Sequence, residues 1–549
     1  MSDTYNGGHT GGSPDARDLG TSVHSNLSDY LVGNFDHHEV HPEGVHLLSA
    51  AEAASVDVEN ALVHTPLTIA PPVAHGPPPP VPAYGAITSE EVADALSPRE
   101  LVKDELWVLT KYTTPIFGTH LLELSLSVVS VLSLGHLGTD ELAAASLAGM
   151  TANVTGFSVL SGVASALDTL LPAAYTREPE MMGLWTQRMG VVMGGIVPMI
   201  VLLWLNAEKG LILVGQEPTI AHNARQFLAV LSIGLPGHAI FELCRRYLQA
   251  QGLMHAPTVA LCLVSPLNAL ANYLLVWGPE RIRLGFLGAP LASAISMWLM
   301  GGICFTQCAV VSRHTWGGWS ARAFEISGLK TCWQIGCTGL LSIASEWWAW
   351  EIVGLATAAL GTIALAAQSV LLITSSVTYQ LPGAAAAAAA VRVGNLLGLQ
   401  HVKHAQITCQ AALLQSFVLG VINSVVLFLT RNSLGFAFSS DPAVIECIAA
   451  VMPIMALFQL ADCICGIASG ILRGSGHQGR SATINVTAYY ILGIPISLFL
   501  AYGSPNWALD GLWWGLTIAL IYGAIFSVLS VIRLDWNTAV CRVNLSSTS

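Results

Sequence analysis

Glu346 and Glu351 stand in the stretch Ser345-Glu-Trp-Trp-Ala-Trp-Glu351 and are the only charges between Ile335 and Leu360, a run long enough for a helix to cross a hydrocarbon core. An ionisable side chain at that depth costs about 2.5 to 3.5 kcal/mol on insertion scales, so both carboxylates are expected to face protein or water and to bind a cation or exchange a proton. Five residues of separation place them about 140° apart around a helix, which divides their tasks. Trp350 lies one turn beyond Glu346 on the same face, and the two could offer an organic cation a carboxylate and an aromatic ring. Trp347, Trp348 and Trp350 could equally pack between helices. Asp462, in Leu460-Ala-Asp-Cys-Ile-Cys-Gly466, has no base within one helical turn. Arg473 is on nearly the same face but about 16 Å away. An acid without a local partner is suited to taking up and releasing protons. His120 and Glu123 share a face three residues apart, either as a second proton site or as a structural hydrogen bond.

Other charges in apolar surroundings read as structural. Glu242 has Arg245 and Arg246 at i+3 and i+4, the spacing of an intrahelical ion pair. Asp168 falls near the end of a span, where a polar cap or gate contact is expected. Arg392 is expected to anchor an interface by pairing with a loop or with backbone carbonyls.

The elements that hold these residues are membrane helices. With 53% hydrophobic and 10% charged residues and a mean hydropathy of +0.60, the chain belongs to the integral membrane class. Twelve apolar stretches follow residue 104, near 107–134, 141–172, 185–206, 224–249, 257–277, 286–312, 329–358, 363–390, 405–429, 443–472, 481–503 and 508–532. Short strings repeat between the first and last six. Leu142-Ala-Ala-Ala-Ser146 returns as Leu365-Ala-Ala-Gln-Ser369, and Tyr247-Leu-Gln-Ala-Gln-Gly252 aligns with Ile471-Leu-Arg-Gly-Ser-Gly476 at nearly the same offset. Duplication of an even number of helices gives two six-helix lobes related by a pseudo-two-fold axis along the membrane normal, the parallel-repeat plan of transporters. The expected organisation is an acidic disordered tail over 1–100, an N-lobe over 101–325, a C-lobe over 326–535 and a terminal tail over 536–549.

The net charge of -12 belongs to the tail. Residues 1–105 carry 16 acidic side chains against Arg17, Arg99 and Lys103, whereas the rest of the chain has 18 acidic and 19 basic ones. Acidity therefore says nothing about a substrate, and no basic patch points to nucleic acid. The tail is rich in Gly, Pro, Ser and His, including His37-His38 and His41, and reads as a flexible polar segment rather than a metal site. All 11 cysteines lie after residue 240 without disulfide or zinc spacing. If both termini are cytosolic, 17 Lys and Arg fall on that side and only Lys209, Arg225, Arg281, Arg283 and Arg431 on the other, which is the expected orientation.

Several motifs carry a resemblance. In the first half these are Gly135-His-Leu-Gly138, Glu141-Leu-Ala-Ala-Ala-Ser-Leu-Ala148, Asn153-Val-Thr-Gly156 and Ser165-Ala-Leu-Asp-Thr-Leu170. In the second they are Glu346 to Glu351, Leu365 to Ser369, Val391-Arg-Val-Gly-Asn-Leu-Leu-Gly398, Gly470-Ile-Leu-Arg-Gly-Ser-Gly476 and Tyr489-Tyr-Ile-Leu-Gly-Ile-Pro495. In wording, order and spacing over about residues 100 to 533 the chain resembles eukaryotic, fungal-like members of the multidrug and toxic compound extrusion (MATE) family. That resemblance implies a secondary transporter exporting organic, commonly cationic, compounds in exchange for a cation, usually a proton. It maps the C-lobe acids of the family onto Glu346, Glu351 and Asp462. The chain departs from the pattern at Glu123, where many members carry Gln, and at Pro172-Ala-Ala-Tyr175 and Leu170-Leu171.

The expected function is thus a proton-coupled antiporter of small organic compounds, acting as a monomer in the vacuolar or plasma membrane, with no cofactor beyond a proton or sodium ion. A lipid-linked flippase of the wider superfamily is the alternative, although it would call for a more cationic cavity. An intramembrane enzyme would need a catalytic dyad or metal cluster, and neither a Gly-x-Ser-x-Gly elbow nor a His-Glu-x-x-His helix is present.

Overall fold

The computed structural model describes residues 97–135 and 137–548; the expected N-terminal tail lies outside them up to residue 96. The first six spanning helices are α1 (Pro98–Gly135), α2 (Asp140–Arg177), α3 (Met181–Leu205), α4 (Pro218–Ala250), α5 (His255–Trp277) and α6 (Gly285–Val311). The second six are α7 (Ile326–Ala358), α8 (Thr362–Gly398), α9 (Val402–Thr430), α10 (Pro442–Gly474), α11 (Gln478–Tyr502) and α12 (Ala508–Ile532). Every stretch expected to span the membrane is helical. Among the described residues eleven of the helices are long and apolar enough for a membrane on composition alone, and α7 is the exception. It is 33 residues long but interrupted by Glu346, Glu351 and many small polar residues, so the least oily helix is the one that carries the acids.

Several helices are locally irregular. In α2 a π-turn over Asn153–Phe157 interrupts the α-helix, and in α11 another spans Thr487–Gly493 just before Pro495. Such widened turns leave backbone groups out of register and often accompany functional sites.

Each half has its own apolar core. In the first half Leu167, Trp185, Met189, Trp204 and Leu228 are fully buried together. In the second, Ile448, Met452, Phe458, Trp513 and Leu516 fill the space between α10 and α12. The alanine run of α8 lies against α10 as a surface nearly free of bulk: a methyl group on Gly470 or Gly474 would strike the carbonyl oxygen of Ala386 or Ala390. Small residues here permit close helix approach, as the composition of the run anticipates.

The halves meet along a seam at the end where α1 begins and α2, α8 and α10 finish, the face with most of the Lys and Arg. Thr169 donates its hydroxyl to the carbonyl of Arg473 at 2.6 Å, Gln478 donates its amide to Ser165 O at 3.1 Å and to Thr169 Oγ1 at 2.7 Å, and Thr176 donates to Asn395 O at 3.1 Å. A further helix, α13 (Trp536–Thr548), occupies the segment expected to be a terminal tail. Its Ala539 is fully buried against the same basic-face core as Ala173 and Leu396.

The link between α10 and α11 holds one buried histidine. His477 is 1% exposed, and its Nδ1–H donates to the carbonyl of Ser475 at 2.9 Å, leaving Nε2 as a bare acceptor. Burial, helped by Arg542 and Arg480, pushes the imidazole down to about 4. Because the unfolded chain binds the proton with a pKa near 6.5, the His477 contribution to stability is whole above about pH 6.5 and declines as the pH falls, by on the order of 3 kcal/mol at pH 4. Thermal unfolding of the purified protein between pH 7 and pH 4.5 should therefore show a slope that His477→Asn flattens. An undiminished slope in that variant refutes the assignment.

Candidate functional site

Between the halves lies a cavity of about 190 Å³. From the first half it is lined by His120 of α1, Ser161 and Asp168 of α2, and Arg245, Arg246 and Gln249 of α4. The second half supplies Glu346 and Trp347 of α7, Tyr379 of α8, Asp462 of α10 and Tyr489 of α11. Two of the sequence-derived acids, some 116 positions apart in the chain, thus share one small chamber.

Their surroundings follow from the packing of α7, α10 and α11. Asn485 donates its amide to Ser342 O at 2.9 Å, and the hydroxyls of Ser342 and Ser481 lie 3.1 Å apart, which pins α7 to α11 one turn before Glu346. On the other side Trp348 donates its indole N–H to Val154 O at 3.0 Å, inside the π-turn of α2. Asp462 is 4% exposed, and its contact with the amide of Gln459 is long, at 3.5 Å. Gln459 is itself oriented by the hydroxyl of Thr378, which donates to its Oε1 at 3.0 Å. Among the described residues neither Glu346 nor Asp462 has a base within ion-pair distance. Two carboxylates in a confined space without a counter-ion disfavour one another's charge, so the arrangement is suited to binding protons or a cation.

The opposite wall is different. Glu242 is paired with both following arginines: Arg245 donates to it at 2.8 Å and Arg246 makes a short contact to its other oxygen. The intrahelical ion pair expected from spacing is present. Arg246 also donates to Asp168 at 3.1 Å and to the Ser161 carbonyl at 3.2 Å. Asp168 in turn lies 3.7 Å from Nε of Arg473, an ion pair that crosses from one half to the other.

Four placements differ from the sequence reading. Glu123 does not pair with His120; its carboxylate receives Arg245 at 3.3 Å, while the His120 ring nitrogen lies 3.4 Å from the Gln380 carbonyl of α8. A cation on α4 outcompetes an intrahelical histidine because a charge-assisted bond is the stronger one. Trp350 does not stand beside Glu346 in the cavity. It stacks with Phe458 at 5.4 Å and Trp513 at 5.5 Å in the C-lobe core, where an indole buries more of its surface than a polar chamber would allow. Glu351 is half-buried outside the cavity lining, as its 140° displacement from Glu346 requires. Arg392 is also anchored differently: its partner is the carboxylate of Glu105, not a loop or a carbonyl.

Trp347, Tyr379, Tyr489 and the Asp168–Arg473 bridge were not legible as a group. Each comes from a different helix, and the only trace in the sequence is a polar or aromatic residue interrupting an apolar run. Trp350→Ala is accordingly expected to destabilise the C-lobe by about 3–5 kcal/mol, the range for a buried aromatic deletion. Transport per folded molecule should persist; a variant that unfolds like the parent but has lost substrate affinity would return Trp350 to the site.

The comparisons agree with this architecture. The MatE family model matches residues 115–274 and again residues 340–499, one copy in each half. A Schizosaccharomyces pombe protein described as an uncharacterized transporter is 37% identical over 473 residues, 84% of this chain and 87% of the relative. Multidrug and toxin extrusion protein 1 of Homo sapiens is 31% identical over 440 residues, covering 80% and 76%. The crystal structure of the eukaryotic MATE transporter AtDTX14 superposes with a TM-score of 0.75 at 30% identity, over 81% of this chain and 99% of that one. With both six-helix halves matched and the fold shared along nearly the whole of a solved relative, this multi-pass membrane protein belongs to the MatE family.

Proposed function

We propose that the protein is a proton-coupled antiporter that exports small organic, mainly cationic, compounds from the cytosol by alternating access. The observation that carries this reading is the pair Glu346 and Asp462, which line one inter-half cavity without a basic partner. A substrate cation and a proton compete for the same carboxylates, which is the condition for exchange: each ligand is bound in turn, and neither state is stable empty and charged. Tyr379, Tyr489 and Trp347 supply aromatic surface for an organic cation. A drug-sized ligand needs a site of roughly 300–1,000 Å³, more than the chamber offers, so loading requires the halves to part.

The names of the relatives support extrusion of toxic compounds, and the excess of basic residues at the seam supports a cytosolic location for both termini; a vacuolar or a plasma membrane suits an exporter that moves compounds out of the cytosol. His120 lines the cavity from the first half, but Glu123 is held by Arg245, which makes it a weaker claimant for the coupling proton than Asp462. The test is flux into vesicles containing the purified full chain. Uphill movement of an organic cation under an imposed proton gradient is expected. Movement driven only by a sodium gradient would replace the coupling ion, and gradient-independent scrambling of a lipid-linked pyrophosphate would replace the reading with the flippase alternative.

A further inference from the structure

Arg473 is the loosely held cation of the cavity. Arg245 and Arg246 each donate to two or more acceptors, whereas among the described residues the guanidinium of Arg473 makes no hydrogen bond, and its Nε is buried with only Asp168 nearby, at 3.7 Å. It sits where α10 closes the seam, and its own carbonyl accepts the Thr169 hydroxyl of the first half. The cavity side of α10 runs from Asp462 through Cys465, Gly466 and Ser469 to Arg473. The three residues between the acid and the base are small, so α10 puts no bulky side chain of its own in the lane from Arg473 toward Asp462 and Glu346, and the Tyr379 ring of α8 borders it at Gly466.

We infer that Arg473 is a positioning residue that couples the charge of Glu346 and Asp462 to closure of the seam, by dividing its attraction between those acids and Asp168. The inference rests on the reading that the two acids titrate during transport. With both protonated, Asp168 is the one anion left for Arg473, and the bridge between the halves holds. Once they ionise, their field draws the guanidinium along the lane, because charges in the lower dielectric of a protein interior interact without direct contact. Asp168 then keeps only Arg246, and the seam loosens on the face where the substrate must enter.

Other charged and titratable groups share this space. From the first half they are His120, Asp168, Arg245 and Arg246, and the two arginines are already committed to Glu242. From the second they are Glu346, Tyr379, Asp462, Cys465 and Tyr489. His120 is therefore the other side chain that needs separating in a pH experiment near neutrality. His477, adjoining the seam, stays neutral there, because it takes up a proton only near about 4.

Hydrogen–deuterium exchange of the purified full chain, corrected for intrinsic rates, tests this at pH 6 and pH 8 in peptides covering 166–177 and 472–480. The wild-type protein should exchange there about fivefold faster at pH 8, the low end of an allosteric coupling. Arg473→Gln and, independently, Asp168→Asn should exchange fast at both pH values, the combined Glu346→Gln and Asp462→Asn variant slowly at both, and Arg473→Lys should retain the rise. Should Arg473→Gln not fold, Asp168→Asn and Arg473→Lys carry the comparison. An equal rate at both pH values in the wild type, a rise that survives in Arg473→Gln or Asp168→Asn, or a rise lost in His120→Gln but kept in the double acid variant overturns the inference. Flux separates it from the functional reading: a normal exchange pattern in a protein without proton-driven transport removes the antiport assignment and leaves the bridge, while proton-driven transport with pH-insensitive exchange does the reverse.

Discussion

Asp462→Asn is expected to reduce accumulation of substrate under a proton gradient by up to about 150-fold, the upper range of a coupling energy, because the amide preserves shape and hydrogen bonding but cannot titrate. The same variant should be at least as heat-stable as the parent. Asp462 has no ion partner to lose, and a buried charge without one is a liability to the fold. This opposite movement of transport and stability distinguishes a coupling group from a structural one. Glu346→Gln should weaken apparent substrate affinity as well as coupling, since Trp347 beside it lines the same chamber. Gradient-dependent accumulation at near parental level in the variant with both changes would defeat the assignment and move the coupling ion toward Glu123 and His120.

The second large effect is expected at the basic face. Glu105 is 2% exposed and accepts from Arg392 at 2.5 and 3.1 Å, from His404 at 2.7 Å and from Thr408 at 3.0 Å. One carboxylate of α1 thus fastens the first half to α8 and α9 of the second. Glu105→Ala leaves a buried guanidinium without a counter-charge and should destabilise the protein by about 3–5 kcal/mol. Pairing it with Arg392→Met should recover much of that loss, because removing both charges also removes the desolvation penalty of the survivor. Thermal unfolding of the two single variants and the double variant measures this coupling; strictly additive losses would show that the pair is not an interacting unit. In contrast to Asp462, stability here should fall far more than transport per folded molecule.

These two acids illustrate how differently buried charge can be read from a chain. Asp462 is conspicuous because it interrupts an apolar run with no base in reach, and helix geometry alone isolates it. Glu105 is inconspicuous because it follows an acidic tail and has Lys103 and Asp104 beside it, so local composition places it in water. Its partners stand 287 and 299 positions away, a separation that no periodicity records.

Twelve apolar runs, their repeat and the intrahelical pairing of Glu242 were determined by the sequence, since each depends on residues within a few turns and on the thickness of a membrane. Hydrophobic length dictates that a helix forms, and helical pitch dictates which neighbours share its face. Only the tertiary structure decided which faces meet. Trp350 and Glu346 share a face on paper, yet a small rotation sends the indole into a core with Phe458 and Trp513 and leaves the carboxylate in the cavity. Likewise Glu123 gains Arg245 from another helix in place of His120, and Asp168 becomes a bridge to Arg473 across 305 positions. Charges seek the nearest opposite charge in space, and in a bundle whose helices are joined by loops that nearest charge belongs to the packing rather than to the order of residues along the chain.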